Sequence, residues 1–141
     1  MIRQALHIPL FCRGVLCAAA MLQLPAAAAL AQDAAALTPA EKAAFVAAVG
    51  ACWTQGALPA DAAATVVTIA LRLNPDGTPD SGSIRMLKAE GGTEASVEQA
   101  YTAARRAILR CSRDGYTLPK EKYDVWKDVV ITFTPDEMRM R

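Results

Sequence analysis

Few side chains of this chain could do covalent chemistry. The single histidine is His7, and the four cysteines are Cys12, Cys17, Cys52 and Cys111. If the first segment is removed, as argued below, no histidine remains, which excludes Ser-His-Asp and Cys-His machinery and any histidine-based metal site. Ser81, Ser83, Ser96 and Ser112 stand in no G-x-S-x-G setting. Gly91-Gly92 lacks the rest of a phosphate-binding loop. Cys52 and Cys111 form no C-x-x-C pair, so a redox role fails on spacing. Paired carboxylates are the one route left to acid–base catalysis. Asp76 and Asp80 flank a turn, Asp124 and Asp128 flank the start of the last strand, and Asp136-Glu137 follow it. Acids so placed read as surface groups rather than as a catalytic pair. The expectation is a non-enzyme with no catalytic residues, no metal and no cofactor.

The cysteines are better read as structural. The first stretch, "MIRQALHIPLFCRGVLCAAAMLQLPAAAALAQDAAA", places Arg3 and Arg13 ahead of an uncharged run from Gly14 to Gln32. Ala29-Leu30-Ala31 then offers the small-x-small pattern of signal-peptide cleavage, so residues 1–31 are expected to be a secretory signal cleaved after Ala31. Two alternatives are weaker. An uncleaved anchor needs ~20 apolar residues, and this run is alanine-rich and carries Pro25; a lipoprotein site at Cys17 would follow Leu16 where a small residue is expected. Cleavage removes His7, Cys12, Cys17 and two arginines. Residues 32–141 then hold thirteen bases against fourteen acids, a net charge of −1, and nothing in that balance favours nucleic acid. Cys52 and Cys111 remain, and an even pair in an exported domain suggests a disulfide, the alternative being two buried thiols. A bridge closing a loop of roughly 60 residues is worth about 4 kcal/mol in the chain-entropy model.

Local signals define the elements that position these groups. Thr38-Pro39-Ala40-Glu41 starts a helix, with Thr38 as N-cap, Pro39 in the first position and Glu41 reaching back. Over residues 39–54, Phe45, Val46, Val49, Cys52 and Trp53 fall on one stripe. "ALPADAAAT" is expected to be a loop. "TVVTIALRL" (65–73) is a strand with Val67, Ile69, Leu71 and Leu73 on one face. "NPDG" (74–77) is a turn in which Asn74 can bond back to the turn backbone and Gly77 accepts positive φ. A returning strand is expected over 82–89. Residues 94–111 form the clearest helix, with Val97, Ala100, Tyr101, Ala104, Ala107, Ile108 and Cys111 as its apolar stripe. Glu94 and Glu98 lie near its start, and Arg105, Arg106, Arg110 and Arg113 near its end, complementing the helix dipole. Those arginines fit a solvated helix end better than a phosphate patch. "YTLPKEKYDVW" is a connector with one short helical turn after Pro119. The last expected strand is 127–134 within "WKDVVITFTP". Val129, Ile131 and Phe133 should face the helices, and Val130, Thr132 and Thr134 the open side. Charges at Lys127 and Asp128 and the missing donor of Pro135 mark this strand as an edge. The order α-β-β-α-β predicts a two-layer α+β domain over 32–141, with helices on one face of a three-stranded antiparallel sheet.

From Val66 to Arg141 the chain resembles the C-terminal domain of TolA, in the TonB/TolA superfamily. The segments that carry the likeness are "LNPDG", "SIRMLKAEGG", "AYTAARRAILRC", "GYTLPKEKYDVW" and "VVITFTPDEM", with the "CW" of Cys52-Trp53 on the preceding helix. The resemblance implies a periplasmic module with strand order 2-1-3 and a disulfide between its two helices, here Cys52 to Cys111. It also implies that Asp128, Val129, Val130, Ile131, Thr132, Phe133 and Thr134 form an exposed edge. Family domains engage protein segments such as the TolB N-terminus, colicin or phage segments and the TonB box of outer-membrane transporters, several of them by strand addition. The implied partners here are TolB-like or TonB-box-like peptides, in cell-envelope maintenance or transport.

The departures from the family are also specific. TolA and TonB carry an N-terminal anchor and a long stalk, whereas this chain is expected to have a cleaved signal, no stable membrane anchor and no proline-rich spacer. Force transmission across the periplasm is therefore not expected of it. A structural or assembly role in the envelope, without an energised partner, is the alternative function.

Overall fold

The computed structural model describes residues 36–141. The expected signal segment with its expected cleavage after Ala31, and His7, Cys12 and Cys17, lie outside the described residues.

Helix α1 runs Pro39–Gly50. It starts where the capping chemistry places it: Glu41 N–H donates to Thr38 Oγ1 at 3.2 Å, and Thr38 N–H donates to Glu41 Oε2 at 2.6 Å. It stops at Gly50, short of the expected 54, so Cys52 and Trp53 lie in the turn beyond it. A 3₁₀ turn follows at Gln55–Ala57, and a one-turn helix, α2, spans Ala60–Ala63 where a loop was expected. Two contacts hold it: Ala62 is buried, and beyond its end Thr65 Oγ1 donates to Asp61 O at 2.8 Å.

Strand β1 is Val66–Arg72 and β2 is Arg85–Glu90, antiparallel. The turn between them begins as expected, with Gly77 N–H donating to Asn74 O at 2.8 Å and Gly77 at φ 82°. The side chain that braces its backbone is Asp76, whose Oδ1 accepts from Thr78 N–H at 2.9 Å; the Asn74 amide donates to Thr78 Oγ1 instead. β2 starts three residues later than expected because residues 79–83 are held in turns, with Asp80 N–H bonded to Arg72 O and Ser83 N–H to Asp80 O.

Helix α3, Glu94–Cys111, has the expected bounds. Thr93 caps it with Ser96 as the reciprocal partner. Residues 120–122 form a 3₁₀ turn that leads into α4, Tyr123–Trp126, in the expected connector. Trp126 is buried there, and its Nε1–H donates to Pro119 O at 2.7 Å.

Strand β3 is Asp128–Phe133. A further strand, β4, spans Met138–Met140. The sheet is antiparallel with four strands in the order β2-β1-β3-β4. The expected core of the order, 2-1-3, is present, but the sheet does not end at its third strand.

One face of this sheet makes the core. Val67, Ile69, Leu71 and Leu73 of β1 and its extension, and Val129, Ile131 and Phe133 of β3, are all at most 2 % exposed. They pack with Phe45 and Val49 of α1 and with Ala100, Ala104 and Ile108 of α3. Cys52 and Cys111 are joined between the ends of the two helices, with Cα atoms 5.8 Å apart, inside the range a disulfide requires.

Candidate partner-binding edge

Two neighbours determine what β3 can offer to a partner. On its inner side it pairs with β1, Val67 opposite Phe133, Ile69 opposite Ile131 and Leu71 opposite Val129. Leu73 N–H continues that ladder by donating to Lys127 O at 2.8 Å. Backbone groups alternate sides along a strand. The groups of Val130, Thr132 and Thr134 therefore point away from β1.

Those are the groups an added strand would use, and β4 takes them. Arg141 N–H donates to Val130 O at 2.9 Å, and Val130 N–H donates back to Arg141 O at 3.4 Å. Thr132 lies opposite Arg139, and Thr134 N–H donates to Glu137 O at 2.9 Å. The expected position of 128–134 at the sheet edge is thus corrected: β3 is an interior strand along Val130–Thr134. Within that span only Asp128, beyond the end of β4, keeps an outward backbone that β4 does not reach.

The correction has a physical cause in four residues. Thr134-Pro135-Asp136-Glu137 is a tight turn, with proline in the second position where its fixed φ is favourable. The Thr134 hydroxyl closes the turn, donating to Glu137 O at 2.7 Å and accepting from Glu137 N–H at 3.0 Å. Pro135, expected to stop pairing, starts a hairpin. Met138 and Met140 then turn inward beside Phe133 and Ile131 and pack, half-buried, on the core. Gln55 Nε2–H donates to Thr134 O at 3.0 Å, tying the end of β3 to the turn after α1.

The side chains of the seven candidate residues divide as expected. Val129, Ile131 and Phe133 are buried under the helices, while Val130, Thr132 and Thr134 are half-buried on the other face. On that open face Thr68 and Thr132 are hydrogen-bonded through their hydroxyls at 3.1 Å. Asp128 accepts from Arg72 Nε–H at 3.1 Å, both side chains being largely exposed. Beside them Ala70, Val130, Leu87 and Arg85 border a shallow groove of about 370 Å³.

The true edges of the sheet are β4 and β2. All of β2 but Ala89 is exposed. Its register slips between Thr68 and Ile69 of β1, leaving Leu87 as an extra, outward residue that is 52 % exposed. A bulge and the charges of Arg85, Lys88 and Glu90 are devices that discourage edge-to-edge pairing. β4 is protected differently, by being only three residues long.

The candidate acids are dispersed on the surface. Asp76, Asp80, Asp124, Asp128, Asp136 and Glu137 are all exposed. Asp124 accepts from Lys127 Nζ at 2.8 Å, which holds its carboxyl below the usual range. Asp76 is lowered by its bonds from Thr78. Glu137 is engaged by Arg139. Among the described residues no group of three or more His, Cys, Asp or Glu side chains is placed to hold a metal ion, and no helix is long and apolar enough to cross a membrane. Burial raises the Tyr116 phenol, whose hydroxyl donates to Ile108 O at 2.6 Å in a structural contact.

No family model matches the chain, and comparison with curated proteins and with solved structures finds no significant relative.

Proposed function

We propose that this chain is a non-enzymatic binding module of the cell envelope, of the TolA C-terminal type, exported to the periplasm. It engages extended protein segments, TolB-like or TonB-box-like, by strand addition on the β3 side of its sheet. The observation that carries this is the weakness of what covers β3. A three-residue strand reached through an exposed turn occupies the outer side of a strand whose inner face is fixed in the core. Few hydrogen bonds hold β4, and each contributes only about 1 kcal/mol net. An incoming segment that replaces β4 would regain those bonds and lengthen the pairing towards Asp128. The disulfide and the two packed helices hold the platform rigid meanwhile, which lowers the ordering cost of binding.

The test uses the isotope-labelled full chain titrated with peptides from TolB-type N-termini and TonB boxes. Expected are amide shifts along 128–134, together with release of 138–140. If no shifts appear at millimolar peptide, the binding role is lost. A structural or assembly role would then be favoured by the same geometry, with β4 as a permanent fourth strand.

A further inference from the structure

Two of the three methionines among the described residues stand in one three-residue strand. Met138 and Met140 are the core-facing residues of β4, opposite Phe133 and Ile131, and both are half-buried. The third, Met86, is 38 % exposed on β2. Met138 rests against the end of α1, where a Cβ added to Gly50 would stand 3.1 Å from its methyl carbon. Arg139, between the two, is exposed. Met138 and Met140 are therefore the side-chain anchors of β4. Beyond them, β4 and the turn before it are held by backbone pairing with β3 and by the Thr134 hydroxyl.

Thioethers are also where a hydroperoxide reacts in this domain. Cys52 and Cys111 are bridged, so no thiol among the described residues competes for it. A sulfur lone pair attacks the terminal peroxide oxygen, and the O–O bond breaks as the S–O bond forms. The departing oxygen takes the proton and leaves as water or an alcohol. Sulfur is oxidised by two electrons and the peroxide is reduced by two. The resulting sulfoxide is polar, and the Phe133 and Ile131 side chains beside it donate no hydrogen bond. Keeping an unpaired polar group in that apolar seat is unfavourable, whereas water solvates it once β4 moves out. We propose that Met138 and Met140 are oxidation sites, and that their conversion to sulfoxides releases β4 and bares the outward backbone of β3 from Val130 to Thr134. That the bared backbone then admits a partner segment rests on the strand-addition reading above; the release itself does not.

The test is amide hydrogen exchange of the isotope-labelled full chain before and after hydrogen peroxide, with the oxidised positions located by mass spectrometry. Sulfoxides at Met138 and Met140 should speed exchange at Val130, Thr132 and Thr134 about tenfold, the scale of one unpartnered polar group in an apolar site. Val129, Ile131 and Phe133, which face β1, should keep their rates. The double substitution Met138→Leu and Met140→Leu, a nearly volume-conserving change, should abolish the response. Met86→Leu should respond as the parent does, and it carries the comparison if circular dichroism shows the double variant unfolded. Unchanged exchange in a chain bearing both sulfoxides would overturn the proposal. So would oxidation of Met86 with Met138 and Met140 left intact, or the same acceleration in a folded double variant. Equal acceleration of all six amides would overturn it too, since oxidation would then loosen the sheet and not β4. Titrating the oxidised chain with TolB-type and TonB-box peptides separates the two readings. Release of β4 without peptide shifts along 128–134 upholds the oxidation sites and removes the strand-addition role.

Discussion

Arg141 and Val130 exchange backbone hydrogen bonds across the end of the sheet, at 2.9 and 3.4 Å. This contact turns β3 from an edge into an interior strand, and it lies at the last residue of the chain. The strength of β4 can be read from the exchange of β3 amides. In the alternation of the ladder, Arg139 N–H is the donor to Thr132 O. Arg139→Pro removes that donor, sets a ring carbon against Thr132 O and loses the pair with Glu137, so it loosens β4. Loss of ~1 kcal/mol should speed hydrogen exchange at Val130, Thr132 and Thr134 several-fold. Amides of Val129, Ile131 and Phe133, which face β1, should be unchanged. Uniform acceleration of all six would mean that β4 is part of one cooperative unit with β3, and that no partner could replace it alone.

The disulfide makes a second, larger prediction. Cys52 follows α1 and Cys111 ends α3, so the bridge ties together the two helices that cover the core. At a sequence separation of 59, the loop-closure model gives about 4 kcal/mol. Double substitution Cys52→Ala and Cys111→Ala should lower the unfolding free energy by that order, measured by urea titration. A loss under ~1 kcal/mol would show that the reduced chain is already restricted by residual structure.

The sequence was most legible where chemistry is local. Thr38, Pro39 and Glu41 predict the start of α1, and the alternation of Val67, Ile69 and Leu71 predicts the buried face of β1. Helix α3 is legible from its long apolar period. Cys52 and Cys111 are paired as their even count suggested. What escaped was short or tertiary. Met138-Arg139-Met140 is too short to show a period of two, and methionine has little strand preference of its own. Pro135 was expected to stop pairing and instead opens a hairpin, which Thr134 and Glu137 close through three mutual bonds. The same hairpin moved the candidate site, because a strand's place in a sheet depends on what pairs with it.

Two turns far apart in sequence meet at Gly77. Its carbonyl accepts from Tyr116 N–H at 3.0 Å, and a Cβ on Gly77 would run into the Tyr116 backbone. Gly77 also sits at φ 82°, where other residues pay ~1–2 kcal/mol. Gly77→Ala should therefore cost more than that conformational term alone, since the Tyr116 turn must move. Comparing it with Gly91→Ala separates the two effects. Gly91 has a similar φ of 77° but open space around it. If both variants lose the same stability in urea, backbone conformation explains everything and the close approach contributes nothing.

Glu41 ties stability to acid. Its carboxylate accepts from Thr38 N–H and from Lys122 Nζ at 2.9 Å, and these bonds hold it below its ordinary value of 4.5, with Thr38 the larger cause. A carboxyl lowered in the folded state adds stability above the unfolded value, and that contribution disappears as pH falls through the folded one. Glu41→Gln should therefore be less stable than the parent at pH 7, with the gap closing below about pH 4.5. Lys122→Met should leave most of this pH dependence intact, because the bond from Thr38 remains. Denaturant midpoints of the parent and both variants, measured from pH 7 to pH 3, decide the matter. A gap for Glu41→Gln that stays constant across that window would mean that packing of the side chain, not its charge, supports the start of α1.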